Sequence, residues 1–378
     1  MKSKLPHTET SIFAVMSGLA NQYNAINLSQ GFPDFKVSEE LVDLIYSQMQ
    51  AGKNQYAPMQ GVSELRYALA VKIEKLYQTQ VNPDTQITIT AGATQALFTA
   101  ITAFVGVGDE VIIFEPAYDS YAPAVKLNGG IPKYIQLEAP NFKIDWTEVQ
   151  KMISTKTKMI IINTPNNPGG FVFEESDMKN LETLTRDTAI VVISDEVYEH
   201  IIFDGLVHQS ALKFPELFER TIAVYSFGKT FHATGWKMGY VVAPENLMIE
   251  FRKVHQFNVF CVNTPIQYAL AAYLKEPSNY LSLPDFYQQK RDFFVDKLGD
   301  SKFKVIPSYG TYFQLLDYSA ISEQPEFEFA QWMTKEKGLA SIPVSSFYHN
   351  KKNQQVLRFA FPKEEATLLK AVEILNAI

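Results

Sequence analysis

Between Gln86 and Phe227 the chain carries a series of short apolar runs rich in β-branched residues, separated by stretches of helical or turn-forming character. The runs are Gln86 to Thr90, Glu110 to Phe114, Lys133 to Leu137, Lys158 to Asn163, Ala189 to Ser194 and Thr221 to Phe227. A run that is apolar on consecutive residues, rather than on every second one, is what a strand buried on both faces requires. Such strands, spaced by helix-length segments, predict an α/β fold with a mostly parallel sheet covered by helices. Helical spacing marks Val62 to Tyr77, where Leu65, Leu69, Ile73 and Leu76 share a face, and also Ala96 to Phe104 and Leu283 to Leu298. Open sheets of this kind hold their ligands beyond the carboxyl ends of the strands, so the residues after each run are the first place to look for chemistry.

The chain has 378 residues, enough for two lobes rather than one. Near residue 285 the strand-helix alternation gives way to a helix-rich run and then short strands. The expected organisation is an amino-terminal segment, 1–45, that contributes to the smaller lobe, a large domain, 46–284, and a smaller α+β domain, 285–378. No linker rich in Gly, Ser or Pro separates the lobes, which implies tight packing.

Net charge is -7 and the sequence pI about 5.5, a balance that argues against nucleic-acid and anionic-membrane partners. A single cysteine, Cys261, excludes an intrachain disulfide and points to a reducing compartment. No apolar run is long enough to span a bilayer, and the amino terminus MKSKLPHTETSIF has no continuous apolar core of a leader. A cytoplasmic location is the expectation.

Lys229 stands out first. The run Thr221 to Phe227 stops at Gly228 and Lys229, so this amine lies just past a strand's carboxyl end. A lysine attacks a carbonyl only as the uncharged amine, and desolvation in a closed pocket brings its pKa down. A solvated loop lysine is the plain alternative. Ala223 to Thr230, AVYSFGKT, also comes near a phosphate loop, but Ala stands where the first glycine belongs and Val224, Tyr225 and Phe227 are bulky strand formers. A nicotinamide enzyme would need a G-x-G-x-x-G opening a helix, which the chain lacks.

Other strand ends carry further polar groups. Asp195 closes AIVVISD as a ligand to something cationic, a satisfied buried carboxylate or a turn residue, and Tyr198 follows with a hydroxyl that reaches the same pocket or simply packs in the core. NTPNNPGG, residues 163–170, is a tight loop in which Asn167 offers an amide to an oxygen of a ligand. Tyr118 follows Glu115 and Pro116, placed to lie over a flat ligand. The turn Gly92-Ala93-Thr94-Gln95 precedes a helix, where free backbone N–H groups favour an anion. Arg358, in the apolar run VLRFAF, either meets an anionic partner with its planar fork or reaches out to solvent. An imine-forming lysine, a carboxylate for a ring nitrogen, phenol and amide donors and an anion-binding helix end are together what pyridoxal phosphate demands.

The motifs QGFPDF (30–35), NQYAPMQG (54–61), TPNNPGG (164–170), SDEVYEH (194–200), SFGKTFHATGWKMGY (226–240) and VNTP (262–265) resemble those of the class I pyridoxal-phosphate-dependent aminotransferases. The resemblance spans nearly the whole chain and is nearest the branch that holds methionine, kynurenine and glutamine-K transaminases, its bacterial methionine-specific members above all. It implies fold type I: a large domain with a mostly parallel seven-stranded sheet flanked by helices, and a smaller α+β domain. It implies pyridoxal 5'-phosphate held as a Schiff base on Lys229, with Asp195 paired to the pyridine nitrogen, Asn167 and Tyr198 on the ring oxygen and Tyr118 stacked on the ring. The phosphate would be held by Ala93, Thr94, Ser226 and Lys237, and by Tyr56 reaching in from a second subunit of a homodimer. Arg358 would grip the substrate carboxylate, with Asn167, Gly31 and Phe32 beside it. Lys237 departs from the arginine of many relatives, exchanging a fork for a point charge, and the Gly92 to Gln95 turn departs from the serine-rich version of aspartate-type members.

The implied activity is amino transfer from methionine, or another large apolar or aromatic amino acid, to a 2-oxo acid. Phe32, Tyr118, Phe260 and Phe347 are the aromatic residues that the resemblance places around the substrate side chain. Kynurenine or glutamine transamination, and β-elimination from cysteine conjugates, remain open, because the same carbanion chemistry serves them. A non-enzymatic binding protein on this scaffold is the third alternative, and the retained Lys229 speaks against it.

Overall fold

The structure, a computed structural model, describes residues 3–6, 8–299 and 301–378. Its strands, in chain order, are β1 (Ile26–Asn27), β2 (Ile87–Thr90), β3 (Glu110–Glu115), β4 (Ile131–Gln136), β5 (Thr157–Asn163), β6 (Val191–Asp195), β7 (Thr221–Ser226), β8 (Gly239–Val242), β9 (Lys304–Ile306), β10 (Phe313–Asp317), β11 (Leu339–Ala340), β12 (Ile342–Pro343) and β13 (Val356–Ala360). Seven of them form one sheet in the order β2-β8-β7-β6-β5-β3-β4. Neighbours from β7 through β4 run parallel, and β8 is antiparallel to both β7 and β2.

The apolar runs are explained by burial on two sides. On β6, Val192 belongs to one core cluster with Ile112, Ile160 and Ile162, whereas Val191 and Ile193 belong to another with Val111, Ile113 and Ile161. Successive residues point to opposite faces of a strand, and both faces are covered, so apolar residues fill most positions, and polar ones that intervene, such as Thr88 and Ser194, are small buried hydroxyls.

The structure moves the start of three elements and adds a strand. β4 begins at Ile131 rather than Lys133, because Gly129 and Gly130 complete the turn earlier than the apolar run suggests. β6 begins at Val191, leaving Ala189 and Ile190 outside the ladder. The helix after β2 spans Ala93–Phe104, not Ala96 onward, with Gly92 as its cap at φ +77°, so Ala93 and Thr94 lie in the helix's first turn. β8 is absent from the sequence reading: GYVV is short, follows the glycine-interrupted TGWKM, and shows no alternation of its own.

A second sheet, in the order β12-β13-β10-β9, is antiparallel and built from the last third of the chain. Helices Leu283–Leu298 and Glu365–Asn376 pack together, and β1 joins β11 in a short parallel pair, Ile26 opposite Leu339 and Asn27 opposite Ala340. One apolar cluster runs from Met16 and Leu28 through Leu65 and Tyr225 to Phe294, Leu357 and Leu375, so the two sheets share an interior. Among the described residues no helix is long and apolar enough to cross a membrane, and no group of three His, Cys, Asp or Glu side chains is arranged to hold a metal ion.

Candidate active site

Because β2, β3, β5, β6 and β7 run the same way, the segments after them emerge at one edge of the sheet. Antiparallel β8 brings its starting end, with Lys237 and Met238 before it, to that same edge. The result is a cavity with about 700 Å³ of open space, lined among others by Ala93, Tyr118, Asn167, Asp195, Lys229 and Lys237.

Lys229 sits in the single helical turn Phe227–Thr230 directly after β7. Burial lowers its pKa from 10.5 to about 8, the positive charges of Arg358 and Lys237 push the same way, and Asp195 opposes them. Its amine donates to the hydroxyl of Tyr312 at 2.7 Å and lies 3.4 Å from the carbonyl oxygen of Gly31. Tyr312 in turn donates to that carbonyl at 2.6 Å. The loop bearing Gly31 approaches so closely that a Cβ there would stand 2.7 Å from the Phe313 ring.

Asp195, the last residue of β6, is 3 % exposed. One carboxylate oxygen accepts from the Tyr121 hydroxyl at 2.5 Å and the other from the Val197 N–H at 3.3 Å. Burial raises its pKa to about 6, against the lowering pull of those two donors and of Lys229. Lysine and aspartate, ordinarily more than six pH units apart, are drawn toward each other by the same desolvation.

Asn167 is anchored by its own N–H to the Asn163 side chain at 2.8 Å, and its side-chain oxygen accepts from Arg358 at 2.7 Å, which leaves its NH2 to the cavity it lines. Arg358 does not reach solvent: it is fully buried on β13. Its second terminal nitrogen donates to the Ser29 carbonyl at 2.9 Å, its Nε has no partner among the described residues, and the guanidinium lies 3.8 Å from the centre of the Phe313 ring. Among the described residues no carboxylate pairs with it, and burial lowers its pKa to about 10. A buried cation without a counter-charge is a site for an anionic ligand.

The opposite end of the cavity gathers anion-binding groups. Gly92 offers no side chain to cap the helix Ala93–Phe104, so the first N–H groups of that helix remain directed at the cavity. Ser226 and Lys237 line the same end, and a Cβ on Gly92 would stand 3.5 Å from the Lys237 ammonium. Thr94 and Tyr118 hydroxyls lie 3.4 Å apart, and Tyr118 is set edge-on to Tyr121 with ring centres 5.8 Å apart. Tyr198, 2 % exposed, completes the lining near Lys229, whose amine is 5.6 Å from the centre of its ring.

Other residues stand apart from the cavity within this chain. Tyr56 is 82 % exposed and meets the ring of Phe260, itself half exposed, edge to face. Phe32 is 45 % exposed, with the Lys363 ammonium 4.7 Å from its ring centre. Phe347 is buried and packs against Phe13 and the Arg358 guanidinium. The sequence reading missed Tyr121, Tyr312 and Phe313. A tyrosine following Tyr118 in YDSY and an aromatic pair entering β10 in GTYF were visible signals, but neither indicates which polar group its hydroxyl meets.

The family model for class I and II aminotransferases matches residues 23–375. The chain is 51 % identical over 378 residues to the methionine aminotransferase of Escherichia coli strain K12, covering 100 % of this chain and 98 % of that protein. It is 36 % identical over 386 residues to mouse kynurenine–oxoglutarate transaminase 1, covering 93 % of this chain and 91 % of that one. A crystal structure of an E. coli protein described as having a methionine aminotransferase function superposes with a TM-score of 0.97 at 51 % identity, covering 100 % of this chain and 99 % of that chain. With its fold, its carboxyl-edge cavity and these likenesses in agreement over nearly its full length, the chain belongs to the class I and II aminotransferase family.

Proposed function

We propose that this aminotransferase takes the amino group from methionine, or from a related large apolar or aromatic amino acid, and delivers it to a 2-oxo acid. The observation that carries the reading is a buried amine with a pKa near 8 sharing one cavity with a buried carboxylate, and an unpaired arginine one hydrogen bond away through Asn167. The donor class is supported by the full-length likeness to a methionine aminotransferase and by the more distant likeness to kynurenine transaminases.

The family's cofactor is pyridoxal 5'-phosphate, and the donor set fits it: an amine, a carboxylate, amide and phenol donors, and a helix amino terminus with a nearby cation. When bound, it supplies an aldehyde that exchanges between amines and a ring that accepts electrons from the substrate α-carbon. Lys229 would hold the cofactor and, as a neutral amine, would take up and release the proton of the substrate α-carbon. Asp195, oriented by Tyr121, would keep a proton on the pyridine nitrogen. Asn167 and Tyr198, which line the cavity, would donate to the ring oxygen, and Tyr118 would cover the ring. Ala93, Thr94, Ser226 and Lys237 would hold the phosphate, with Tyr56 of a second subunit joining them. Arg358 binds the substrate carboxylate, and Gly31 and Phe32 lie on the loop that closes over it. That loop is fastened where it crosses the site, by Arg358 to Ser29, Tyr312 to Gly31 and Lys363 to Phe32, an arrangement suited to excluding water.

The division into 1–45, 46–284 and 285–378 accompanies this reading, supported by the β1–β11 pairing. So do a homodimer with shared active sites, a cytoplasmic location, and the absence of nucleic-acid or membrane partners, the last supported by the net charge of -7. Borohydride reduction followed by peptide mapping tests the central residue: the adduct is expected on Lys229, and an adduct elsewhere overturns the assignment. A donor panel read as kcat/KM tests the substrate, with methionine or an aromatic amino acid expected to lead. Pyruvate released from a cysteine conjugate as the main product would turn the reading to β-elimination. A fully active monomer would remove the role given to Tyr56.

A further inference from the structure

Tyr312 has no place in the scheme above except as a fastening for the Gly31 loop, yet its hydroxyl is the nearest partner of the Lys229 amine. The phenol is fully buried, and its ring is packed against Tyr198 at 5.1 Å and Tyr287 at 5.9 Å between ring centres, so the hydroxyl has little freedom to withdraw. It carries one proton, which it donates to the Gly31 carbonyl at 2.6 Å. Toward Lys229, at 2.7 Å, it can therefore only accept. A neutral amine has two N–H bonds and one lone pair in tetrahedral array. Tyr312 takes one N–H and the Gly31 carbonyl, at 3.4 Å, lies in reach of the other, which leaves the lone pair as the remaining direction. The charged groups that act on the amine, Arg358, Lys237 and Asp195, make no hydrogen bond with it, so its orientation rests on these two neutral oxygens.

We infer that Tyr312 is a positioning residue for Lys229, receiving the free amine whenever it is not bonded to the cofactor and orienting its lone pair for proton transfer. The inference rests on the proposed role of Lys229. The reaction requires that amine to leave the cofactor and return in every cycle, and a long side chain released without a partner would sample many rotamers in between. A fixed acceptor removes that freedom, and misplacement of a proton-transferring group by about 1 Å is enough to slow a reaction by about 100-fold. A purely structural Tyr312 would act differently: losing it would loosen the Gly31 loop, and with it substrate binding, while leaving the amine's transfer step intact.

Two measurements decide between these. In a crystal structure of the unmodified protein with pyridoxamine 5'-phosphate bound, the Lys229 nitrogen is expected within about 3.2 Å of the Tyr312 oxygen. An amine directed to any other partner overturns the inference. In Tyr312→Phe, kcat is expected to fall by about 10- to 100-fold with the donor KM changed less than about threefold, and the loss should vanish in a Lys229→Ala background, because the two residues act as a unit. An unchanged kcat, or a loss confined to KM, overturns it, and should the Phe variant fail to fold, the pyridoxamine phosphate complex decides alone. If Lys229→Ala itself still transfers amino groups at the normal rate, it is the underlying role of Lys229 that fails, an outcome separate from either result at Tyr312.

Discussion

The chain buries two lysines beside the segment Asp195 to Glu199, and their surroundings differ in one respect. Lys72 lies 2.5 Å from a carboxylate oxygen of Glu199 and 3.0 Å from the Tyr240 hydroxyl, while Tyr77 also donates to Glu199. Lys229 has a phenol and a carbonyl for partners and, among the described residues, no carboxylate within hydrogen-bond reach. The carboxylates diverge in parallel. Burial works to raise the Glu199 pKa, but Lys72, His200 and the hydrogen bonds of Lys72 and Tyr77 outweigh it and bring it to about 2, whereas Asp195, with a neutral phenol as its main donor, goes up to about 6. Behind the site the fold completes its own ion pair, and the charges serve packing. In the site it withholds the counter-charges; under the function proposed above, Lys229, Asp195 and Arg358 would be completed by an aldehyde, a ring nitrogen and a carboxylate brought by ligands.

Breaking either side of this contrast should have different consequences. The largest effect is expected for Lys229→Ala, a fall in amino transfer of about 10⁴-fold or more with the fold retained, read from single-turnover kinetics and thermal unfolding. A residual rate within about tenfold of the parent would dissolve the contrast. On the other side, Glu199→Gln leaves Lys72 as an unpaired buried charge and should destabilise the protein by about 3–5 kcal/mol in denaturant titration. Replacing both members, Lys72→Met with Glu199→Leu, should be less damaging than Glu199→Gln alone, and equal damage would show that the pair's charges are not what matters. Arg358→Met inverts this pattern. It should lower kcat/KM for amino acids by about 10²- to 10³-fold while changing the stability of the cofactor-free protein by less than about 1 kcal/mol, since the cation has no counter-charge to lose.

The smallest effects are in pH. Capture of pyridoxal phosphate by the cofactor-free protein should speed up as pH rises toward about 8, where Lys229 loses its proton, and level off above, as stopped-flow absorbance would record. Asp195 keeps its proton in the fold up to about pH 6, against 3.8 when unfolded, so its contribution to cofactor-free stability is present below about 4 and is lost as pH rises through 6. Glu199 runs oppositely, stabilising above about 4.5 and losing that contribution as pH falls through about 2. Denaturant titrations across pH 3 to 7, repeated in Asp195→Asn, separate the two: the variant should lose the decline between about 4 and 6 and keep the one at lower pH.

Much of this arrangement was legible in local sequence. A strand covered on both faces readily admits an ionisable side chain only where it ends, so Asp195, Lys229 and the 163–170 loop announce themselves at the ends of β6, β7 and β5. Arg358 was conspicuous for being set in an apolar run, but whether it was embedded or reached solvent depended on what covered β13. β8 was invisible, being four residues without periodicity, yet its antiparallel course is what returns Lys237 to the cavity edge. Tyr121 and Tyr312 looked like ordinary aromatic residues, and their hydroxyl partners lie 74 and 83 residues away along the chain.

What the sequence determined by itself was the kind of sheet and the inventory of reactive groups at its edge, because periodicity, strand ends and motif order are properties of neighbouring residues. Only the tertiary structure decided which charges were paired. Pairing depends on the register between distant strands: Arg358 lies opposite Leu315, and Phe313, two residues along the same face, comes under its guanidinium. It depends also on how completely water is removed, and desolvation is set by everything packed around a group rather than by the residues beside it in the chain.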